Sequence, residues 1–253
     1  MAGRAPPPFS MKTLLQLVRS SLGRKYLMAA TGLLLVGFVF VHMIGNLKVF
    51  LGADDLNHYA HMLKYRGWAL WGFRIGLLSI ALVHVACGLS LAIENRRARP
   101  QRYEEHRTMQ ASFASLCMAA SGLLVGAFLL FHLYHFTLKA GPFEVYEKYL
   151  SPIAAEPGIF QTLAPVEPGQ AYPNVYEMVV KGFSNPWISA FYFAGVGLLC
   201  LHLSHGVQSM FQSMGWRSEA SGPLLNGLAR LVALVIFLGM AAVPAAVLAG
   251  IVH

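Results

Sequence analysis

The chain contains, at residues 35–46, the stretch LVGFVFVHMIGN, in which every residue except His42 and Asn46 is apolar or glycine. A run of this kind is typical of a helix that crosses the hydrocarbon core of a bilayer. Ionisable side chains are costly at that depth, and those that occur there usually have a function. The stretch therefore predicts a membrane-spanning helix, and it raises the question of what an imidazole does inside it.

The composition extends this prediction to the whole chain of 253 residues. Hydrophobic residues make up 56% of it, charged residues only 12%, and the mean hydropathy is +0.54. Soluble domains carry about 25% charged residues, so this chain has too few of them to cover a surface that faces water. The composition therefore indicates an integral membrane protein.

Five stretches are long enough to cross about 30 Å of hydrocarbon, which requires roughly 20 residues at helical rise. These predicted spans lie at about 26–50, 68–93, 111–138, 186–210 and 227–251. The predicted fold class is all-α, with residues 1–253 forming a single transmembrane domain. Residues 1–25 are expected to be a cytoplasmic or interfacial arm that includes a short helix on the membrane surface. The proline-rich connection 139–185 is expected to be long and partly irregular.

Lysine and arginine are distributed unevenly among the connections between the spans. Most of them lie in the arm before the first span (Arg4, Lys12, Arg19, Arg24, Lys25), between the second and third spans (Arg96, Arg97, Arg99, Arg102, Arg107) and between the fourth and fifth (Arg217, Arg230). The positive-inside rule therefore places the N-terminus in the cytoplasm and the C-terminus outside. The net charge of +8 follows largely from this bias. No run of interleaved basic and aromatic residues indicates nucleic-acid binding.

Histidines occur in four of the five predicted spans, and their heights along the helices divide them into two layers. They are His42 in the first span, His84 in the second, His132 and His135 in the third, and His202 and His205 in the fourth. At helical rise, His42 lies about 22 Å from the cytoplasmic end of its span, and His132 also comes late in a span that runs outward. His84 and His202 lie within roughly 10 Å of the cytoplasmic face. Each layer thus contains histidines from two alternate helices.

Two imidazoles at one height are what a haem iron with two axial ligands requires, because neutral imidazole nitrogen suits this metal. A four-helix bundle provides facing side chains at one height. The predicted architecture is therefore a four-helix bundle that encloses two haems, with the fifth helix peripheral. Hydrogen-bonded structural histidines are the alternative interpretation.

Spacing leaves open which member of each i, i+3 pair is the ligand, because the two members differ by only about 4.5 Å in height. His132 and His202 match their layer partners better than His135 and His205 do. Small residues near these positions would let either a macrocycle or another helix approach the backbone closely. They are Gly37, Gly45, Gly88, Gly122, Gly126, Gly195 and Gly197.

Five segments, in order along the chain, resemble the dihaem cytochrome b membrane anchor of succinate dehydrogenases and fumarate reductases, in its single-chain, five-helix form. They are SSLGRKYLMAATGL (20–33), HMIGNLKVFLGADDLNHYAHML (42–63), LVHVACGLSLAI (82–93), FHLYHF (131–136) and CLHLSHGVQSMFQSMGW (200–216). The resemblance implies that His42 and His132 ligate the iron of an outer (distal) haem b. It implies that His84 and His202 ligate an inner (proximal) haem b, and that the protein lies in a bacterial cytoplasmic (inner) membrane.

The same resemblance implies the electron-transfer and quinone-reacting subunit of a succinate:quinone oxidoreductase. Electrons would pass from an iron–sulfur subunit through the two haems to a membrane quinone, either menaquinone or ubiquinone. The chain has no GxGxxG segment, and its three cysteines, Cys87, Cys117 and Cys200, form no CxxC pair. The flavin, the iron–sulfur clusters and the dicarboxylate chemistry would therefore belong to a flavoprotein subunit and an iron–sulfur subunit on the basic cytoplasmic face.

Cys200 and Lys64 depart from the family's pattern, because some dihaem fumarate reductases have acidic residues near these positions. The departure favours succinate oxidation over fumarate reduction. For the quinone, the segment DDLNHYAHMLKYRGW (54–68) follows the outer end of the first span, and its candidate hydrogen-bonding groups are His58 and His61. These two histidines would alternatively coat the membrane interface or bind haem propionates. Arg24 and Lys25 are the candidate propionate partners on the inner side.

Two other kinds of protein remain open from the sequence. One is the dihaem cytochrome b anchor of another membrane oxidoreductase, such as a hydrogenase or a formate dehydrogenase. The other is a transporter in which histidines relay protons across the membrane. Its expected mark, a carboxylate in mid-span, is absent from the sequence of the five predicted spans, which counts against it.

Overall fold

The computed structural model of the chain describes residues 20–98, 118–139, 150–152 and 171–253, and within them the protein is almost entirely helical. These residues form the helices α1 (Ser21–Leu47), α2 (Ala53–Tyr65), α3 (Gly67–Arg97), α4 (Met118–His132), α5 (Val175–Phe183), α6 (Pro186–Ser213) and α7 (Gly222–Leu248). A 3-10 turn, Lys48–Leu51, continues α1, and a π-helical turn, Leu133–Leu138, continues α4. The strands β1 (Leu150–Pro152) and β2 (Ala171–Pro173) pair antiparallel. Each of these strands has only three residues, and the described part of the chain confirms the all-α fold class.

Five of the helical segments are long and apolar enough to cross a membrane: Ser21–Leu51, Gly67–Arg97, Met118–Leu138, Pro186–Ser213 and Gly222–Leu248. This confirms the prediction of a multi-pass protein with five long apolar helices. The last helix begins and ends a few residues earlier than predicted. Its early start is explained by Pro223 in the first turn, where proline is pre-organised for a helix. The predicted start of the third span at residue 111, the interfacial helix expected before residue 20, and Cys117 lie outside the described residues.

The long helices leave most of their apolar surface uncovered by the rest of the protein. Trp187 at the start of α6 is 83% exposed, Trp68 at the start of α3 is 77% exposed, and Trp216 beyond the other end of α6 is 59% exposed. The 28 residues of α6 span about 42 Å at helical rise, which matches a bilayer with its headgroups. The tryptophans are thus spaced as two interfacial belts require.

The four long helices that carry histidine contact one another side by side. α1 contacts α3 and α6, α4 contacts α6, and α3 meets α4 only sparsely, while α7 packs on α6 and α1. We call the end with the first residues of α1 and α7 the basic end. The opposite end, where α2, β2 and α5 lie against the long helices, is called the cap end. At the basic end Arg24 and Glu94 join α1 to α3 through an ion pair of 2.5 Å.

The cap end holds the larger cluster of buried apolar side chains in the described residues: Val49, Leu56, Met178, Val179, Phe183, Tyr192, Val243, Ala246, Val247 and Val252. Asn57 of α2, only 3% exposed, donates to Asn174 Oδ1 at 3.1 Å and accepts from the Tyr176 N–H at 3.0 Å. Asn174 Oδ1 also accepts from the Glu177 N–H at 3.0 Å and so caps α5. Part of the connection predicted to be irregular is therefore a capped helix that packs on α2.

Candidate functional site

The candidate ligands of the predicted outer layer, His42 on α1 and His132 at the end of α4, face each other near the cap end. Their ring centroids are 5.8 Å apart and the rings are nearly perpendicular, at 82°. Bonds from metal ions to imidazole nitrogen are about 2 Å long, so two rings on opposite sides of one ion have centroids roughly 6 Å apart. The two residues thus have the donor type and the separation that a bis-imidazole centre requires.

The surroundings of His132 differ from those of His135, its i, i+3 neighbour, although both contact the same hydroxyl. Tyr192 Oη on α6 lies 3.3 Å from His132 Nδ1 and 3.0 Å from His135 Nδ1. His135 lies in the π-helical turn, is fully buried, and packs with its ring centroid 4.0 Å from that of Phe136. His132 is the one whose ring stands beside His42. The geometry therefore favours His132 as the ligand and gives His135 a packing role.

In the predicted inner layer, the hydrogen bonds of His84 fix its tautomer. Its Nδ1 lies 3.1 Å from Thr31 Oγ1 on α1. The Thr31 hydroxyl already donates its only hydrogen to the Leu27 carbonyl, at 2.6 Å. It can therefore only accept from the imidazole, so Nδ1 carries the proton and Nε2 keeps its lone pair. A neutral imidazole with a free Nε2 lone pair is the form that binds a metal.

His202 on α6 repeats this arrangement with a serine. Its Nδ1 lies 3.3 Å from Ser121 Oγ on α4, and the Ser121 hydroxyl donates to the Met118 carbonyl at 3.1 Å. Nε2 of His202 therefore also keeps its lone pair. Its i, i+3 neighbour His205 instead has Nε2 3.0 Å from Ser209 Oγ on the same helix. His202 is thus hydrogen-bonded to a neighbouring helix and His205 to its own, which favours His202 as the second candidate ligand.

Glycines give the two inner imidazoles their room. A Cβ on Gly32 would lie 3.2 Å from His84 Cε1, and one on Gly122 would lie 3.1 Å from His202 Cε1. Contacts that short are tighter than most Cβ contacts, so each ring would have to shift by a few tenths of an ångström to admit even a methyl group. Of the glycines noted in the sequence, Gly122 has this role, whereas Gly45 and Gly195 accommodate the rings of Tyr59 and Phe128.

Sequence reasoning missed the hydroxyl partners Thr31 and Ser121, although a repeat in the sequence marks both. TGLLLVGFVFVH (31–42) and SGLLVGAFLLFH (121–132) each begin with a hydroxyl residue and glycine, and each ends with a candidate ligand eleven residues later. Eleven residues are about three helical turns, so the hydroxyl and the histidine share one face about 16 Å apart. Each of these two helices therefore carries a candidate ligand of one layer and a hydrogen-bond partner for a candidate ligand of the other.

A mononuclear site of another kind finds no support in the part of the chain that the structure describes. No three His, Cys, Asp or Glu side chains there are grouped so that they could hold one metal ion. Structural zinc sites have four protein ligands and catalytic ones usually three. Pairs of imidazoles without further protein ligands instead suit an iron whose other four positions are filled by a porphyrin.

Arg24, a predicted propionate partner, lies on the same face of α1 as Thr31 and about 10 Å further toward the basic end. Its Nη2 binds Glu94, while its Nε is buried and has no hydrogen-bond partner among the described residues. That N–H is available to an anionic group. Lys25, the other candidate, is exposed.

The candidate quinone residues His58 and His61 both lie on α2 at the cap end. His61 lines a cleft of about 210 Å³ together with Asn57, Ala60, Lys64, Pro173 and Val175. Loss of water around the Lys64 ammonium lowers its pKa, and the positive charges of Lys139 and Arg74 lower it further. His58 does not line the cleft, and its buried Nε2 has no hydrogen-bond partner in the described part of the chain.

Comparison of the chain with protein-family models, with curated proteins and with solved structures finds no match.

Proposed function

We propose that this chain is the membrane-anchor cytochrome b of a succinate:quinone oxidoreductase, passing electrons between an iron–sulfur subunit and a membrane quinone through two bis-histidine b haems. Succinate oxidation is favoured over fumarate reduction as the physiological direction. The dicarboxylate chemistry belongs, in this proposal, to a flavoprotein subunit bound with the iron–sulfur subunit at the basic end. That end then faces the cytoplasm of a bacterium.

One observation carries the proposal: histidines from four different long helices form two groups at two heights. His42 and His132 face each other near the cap end, while His84 and His202 are held in the Nδ1–H tautomer nearer the basic end. A relay of protons needs groups that change their protonation state, whereas a lone pair held ready on Nε2 suits metal binding. The resemblance of five sequence segments to dihaem anchors gives independent support.

The residues of the chain have three tasks in this proposal. Bound haem would supply a one-electron iron centre at each height. The four imidazoles would hold the iron, those of His84 and His202 through Nε2. The contacts between the helices would keep water from the centres, and Arg24 Nε would offer a donor to a propionate at the basic end. α7, which carries no histidine between Gly222 and Leu248, packs against α1 and α6 as the fifth, peripheral helix of the bundle.

The cap-end cleft is the place where we expect the quinone head group to bind. A quinone carbonyl needs a hydrogen-bond donor, and Asn57, His61 and Lys64 all line this cleft. Its volume of about 210 Å³ is below the range of roughly 300–1,000 Å³ typical of ligand pockets. It therefore suits a head group whose isoprenoid tail stays in the lipid. His58, whose buried Nε2 has no hydrogen-bond partner among the described residues, remains a second candidate.

Visible spectroscopy of histidine variants tests the proposal. The purified chain should show b-type absorption with two haems per polypeptide. His42→Ala and His132→Ala should each remove the same haem, and His84→Ala and His202→Ala should each remove the other. His205→Gln is the matched control for His202→Ala, and it should retain both haems. A colourless preparation would contradict the proposal. So would loss of the same haem in two variants from different groups, such as His42→Ala and His84→Ala.

Isolation of the intact complex separates succinate dehydrogenase from the other dihaem oxidoreductases. A flavoprotein with covalent or tightly bound flavin and an iron–sulfur protein should copurify, and the complex should reduce quinone with succinate. Copurification of a hydrogenase or formate dehydrogenase catalytic subunit would be compatible with the two haems but would contradict the assignment to succinate oxidation.

A further inference from the structure

The two pairs of histidine-bearing helices correspond to each other in sequence positions and ring contacts beyond the histidines. Phe38 precedes His42 by four residues, as Phe128 precedes His132. The Phe38 and Phe73 rings of α1 and α3 are 5.9 Å apart at 49°, and the Phe128 and Phe191 rings of α4 and α6 are 5.9 Å apart at 48°. α1 with α3 therefore corresponds to α4 with α6.

Thr31 and Ser121 occupy equivalent places in this arrangement. Each precedes the glycine that contacts the imidazole, each donates its hydroxyl hydrogen to its own helix, and each accepts from the histidine of the adjacent helix. Thr31 is 9% exposed and Ser121 only 2% exposed. Buried hydroxyls are costly unless they are hydrogen-bonded, and here each hydroxyl both donates and accepts a hydrogen bond.

We infer that Thr31 and Ser121 are positioning residues of the basic-end centre, which fix the tautomer and orientation of its two ligands and lower its reduction potential. The inference rests on the proposed function, since it assigns these hydroxyls to the haem held by His84 and His202. A ligand N–H that donates a hydrogen bond makes the imidazole a stronger electron donor. Stronger donation favours the ferric over the ferrous state. Because the two hydroxyls contact the two candidate ligands of one haem, both would affect the same centre.

The hydroxyl-to-backbone bond alone does not distinguish these residues, because serines in helices commonly make it. Ser90 of α3 donates to the Cys87 carbonyl at 2.9 Å in the same way, and Ser204 of α6 donates to the Leu201 carbonyl at 2.8 Å. The distinguishing contact of Thr31 and Ser121 is the second one, to an imidazole. Ser90 is therefore a matched control on a helix of the same site.

Potentiometric titration of the full-length chain in membranes, followed by visible absorption, tests the inference. Thr31→Val and Ser121→Ala should each raise the midpoint potential of the basic-end haem and leave the cap-end haem unchanged. Outer-shell partners typically contribute about 10–100-fold to metal affinity. A tenfold loss confined to the ferric state corresponds to a shift of about 59 mV for a one-electron couple. Thr31→Ser and Ser121→Thr should restore the original potential, and Ser90→Ala should not change it.

The outcomes separate this inference from the proposed function. If the wild-type chain binds no haem, the proposed function itself fails. If it binds two haems but Thr31→Val and Ser121→Ala leave both potentials unchanged, or shift different haems, the inference is wrong and the function stands.

Nitrogen-15 spectra of the histidine-labelled, full-length wild-type chain provide a readout that needs no variant to fold. The inference expects His84 and His202 as neutral imidazoles protonated at Nδ1. Protonation of either ring at Nε2 alone would overturn it.

Discussion

A glycine lies beside each basic-end imidazole, and its lack of a side chain creates the space in which the ring stands. Gly122 is the clearer case, since a Cβ there would approach His202 Cε1 to 3.1 Å. Gly126, one helical turn further along α4, has no heavy atom within 4 Å of the corresponding Cβ position among the described residues. The two glycines thus form a matched pair for testing whether the space beside His202 is functional.

Gly122→Val should displace the imidazole of His202 and reduce or abolish haem at the basic end. The branched side chain would need to move the ring, and loss of ligand orientation typically weakens metal binding about 10–100-fold. The reduced-minus-oxidised spectrum should lose one haem while the cap-end haem remains. Gly126→Val should retain both haems. Equal losses in the two variants would show that the effect is one of helix packing in general.

Lys64 provides a residue-scale test outside the membrane-spanning helices. Its pKa is lowered from 10.5 by desolvation and then by the charges of Lys139 and Arg74. In the pH window between the lowered and the ordinary pKa, the unfolded chain binds more protons, so this group makes stability rise with pH there. Acylation of Lys64, measured by mass spectrometry across a pH series, should have its midpoint below 10.5. Arg74→Gln should raise that midpoint, and an unchanged midpoint would exclude the contribution of Arg74.

The helices of the fold differ in how closely their backbones must approach one another. α6 meets α4 at Gly195, where any Cβ would overlap the ring of Phe128. Phe128 in turn lies 6.3 Å from the ring of His132 and 5.3 Å from that of Tyr192, centroid to centroid. The contact between these two helices therefore helps to determine where His132, the candidate cap-end ligand, stands.

Gly195→Ala should destabilise the packing of α4 on α6, since the added methyl group forces the Phe128 ring out of its place. Overpacking of this kind typically costs about 1–3 kcal/mol. Thermal unfolding of the chain in detergent should show a lower midpoint. Gly197→Ala is the control on the same helix, because its nearest neighbour, Phe237, would be 3.9 Å from the new Cβ. A similar midpoint for both variants would contradict the proposed contact.

The long helices were predictable from the sequence because each is a continuous apolar run of the length that a bilayer requires. The short helices α2 and α5 were not predicted, since their stability depends on contacts between distant parts of the chain. Asn57 and Asn174, whose side chains join them, are 117 residues apart. The π-helical turn that places both His132 and His135 against Tyr192 likewise has no simple sequence pattern.

The histidines of the candidate site were predictable for a similar reason, because an imidazole in an apolar run stands out. Their partners were not, because a threonine or serine inside such a run is ordinary. Thr31 and His84 are 53 residues apart, and Ser121 and His202 are 81 residues apart. Only the repeat of residues 31–42 in residues 121–132 indicates that these hydroxyls share a role, and it becomes meaningful once the pairing of helices is known.

At the scale of the whole molecule, the correspondence between the two pairs of helices holds at the basic end and breaks at the cap end. Tyr192, which contacts His132, precedes His202 by ten residues; Arg74 precedes His84 by the same number. The corresponding places therefore hold a neutral hydroxyl in one half and a permanent charge in the other. The two predicted haems would consequently differ in environment, with the basic-end centre the more symmetric of the two.

The asymmetry of charge between the two ends predicts how the molecule sits in its membrane. Arg24, Arg96, Arg97, Arg217 and Arg230 lie near the basic end, which the positive-inside rule places in the cytoplasm. In spheroplasts, a membrane-impermeant thiol reagent should label Asp54→Cys at the cap end and should label Ser218→Cys at the basic end only after the membrane is opened. The unsubstituted chain is the control, because it measures the labelling of the native cysteines, of which Cys87 is buried and Cys200 half-buried. Labelling of Ser218→Cys alone in intact spheroplasts would invert the orientation and remove the basic end as the docking face for cytoplasmic subunits.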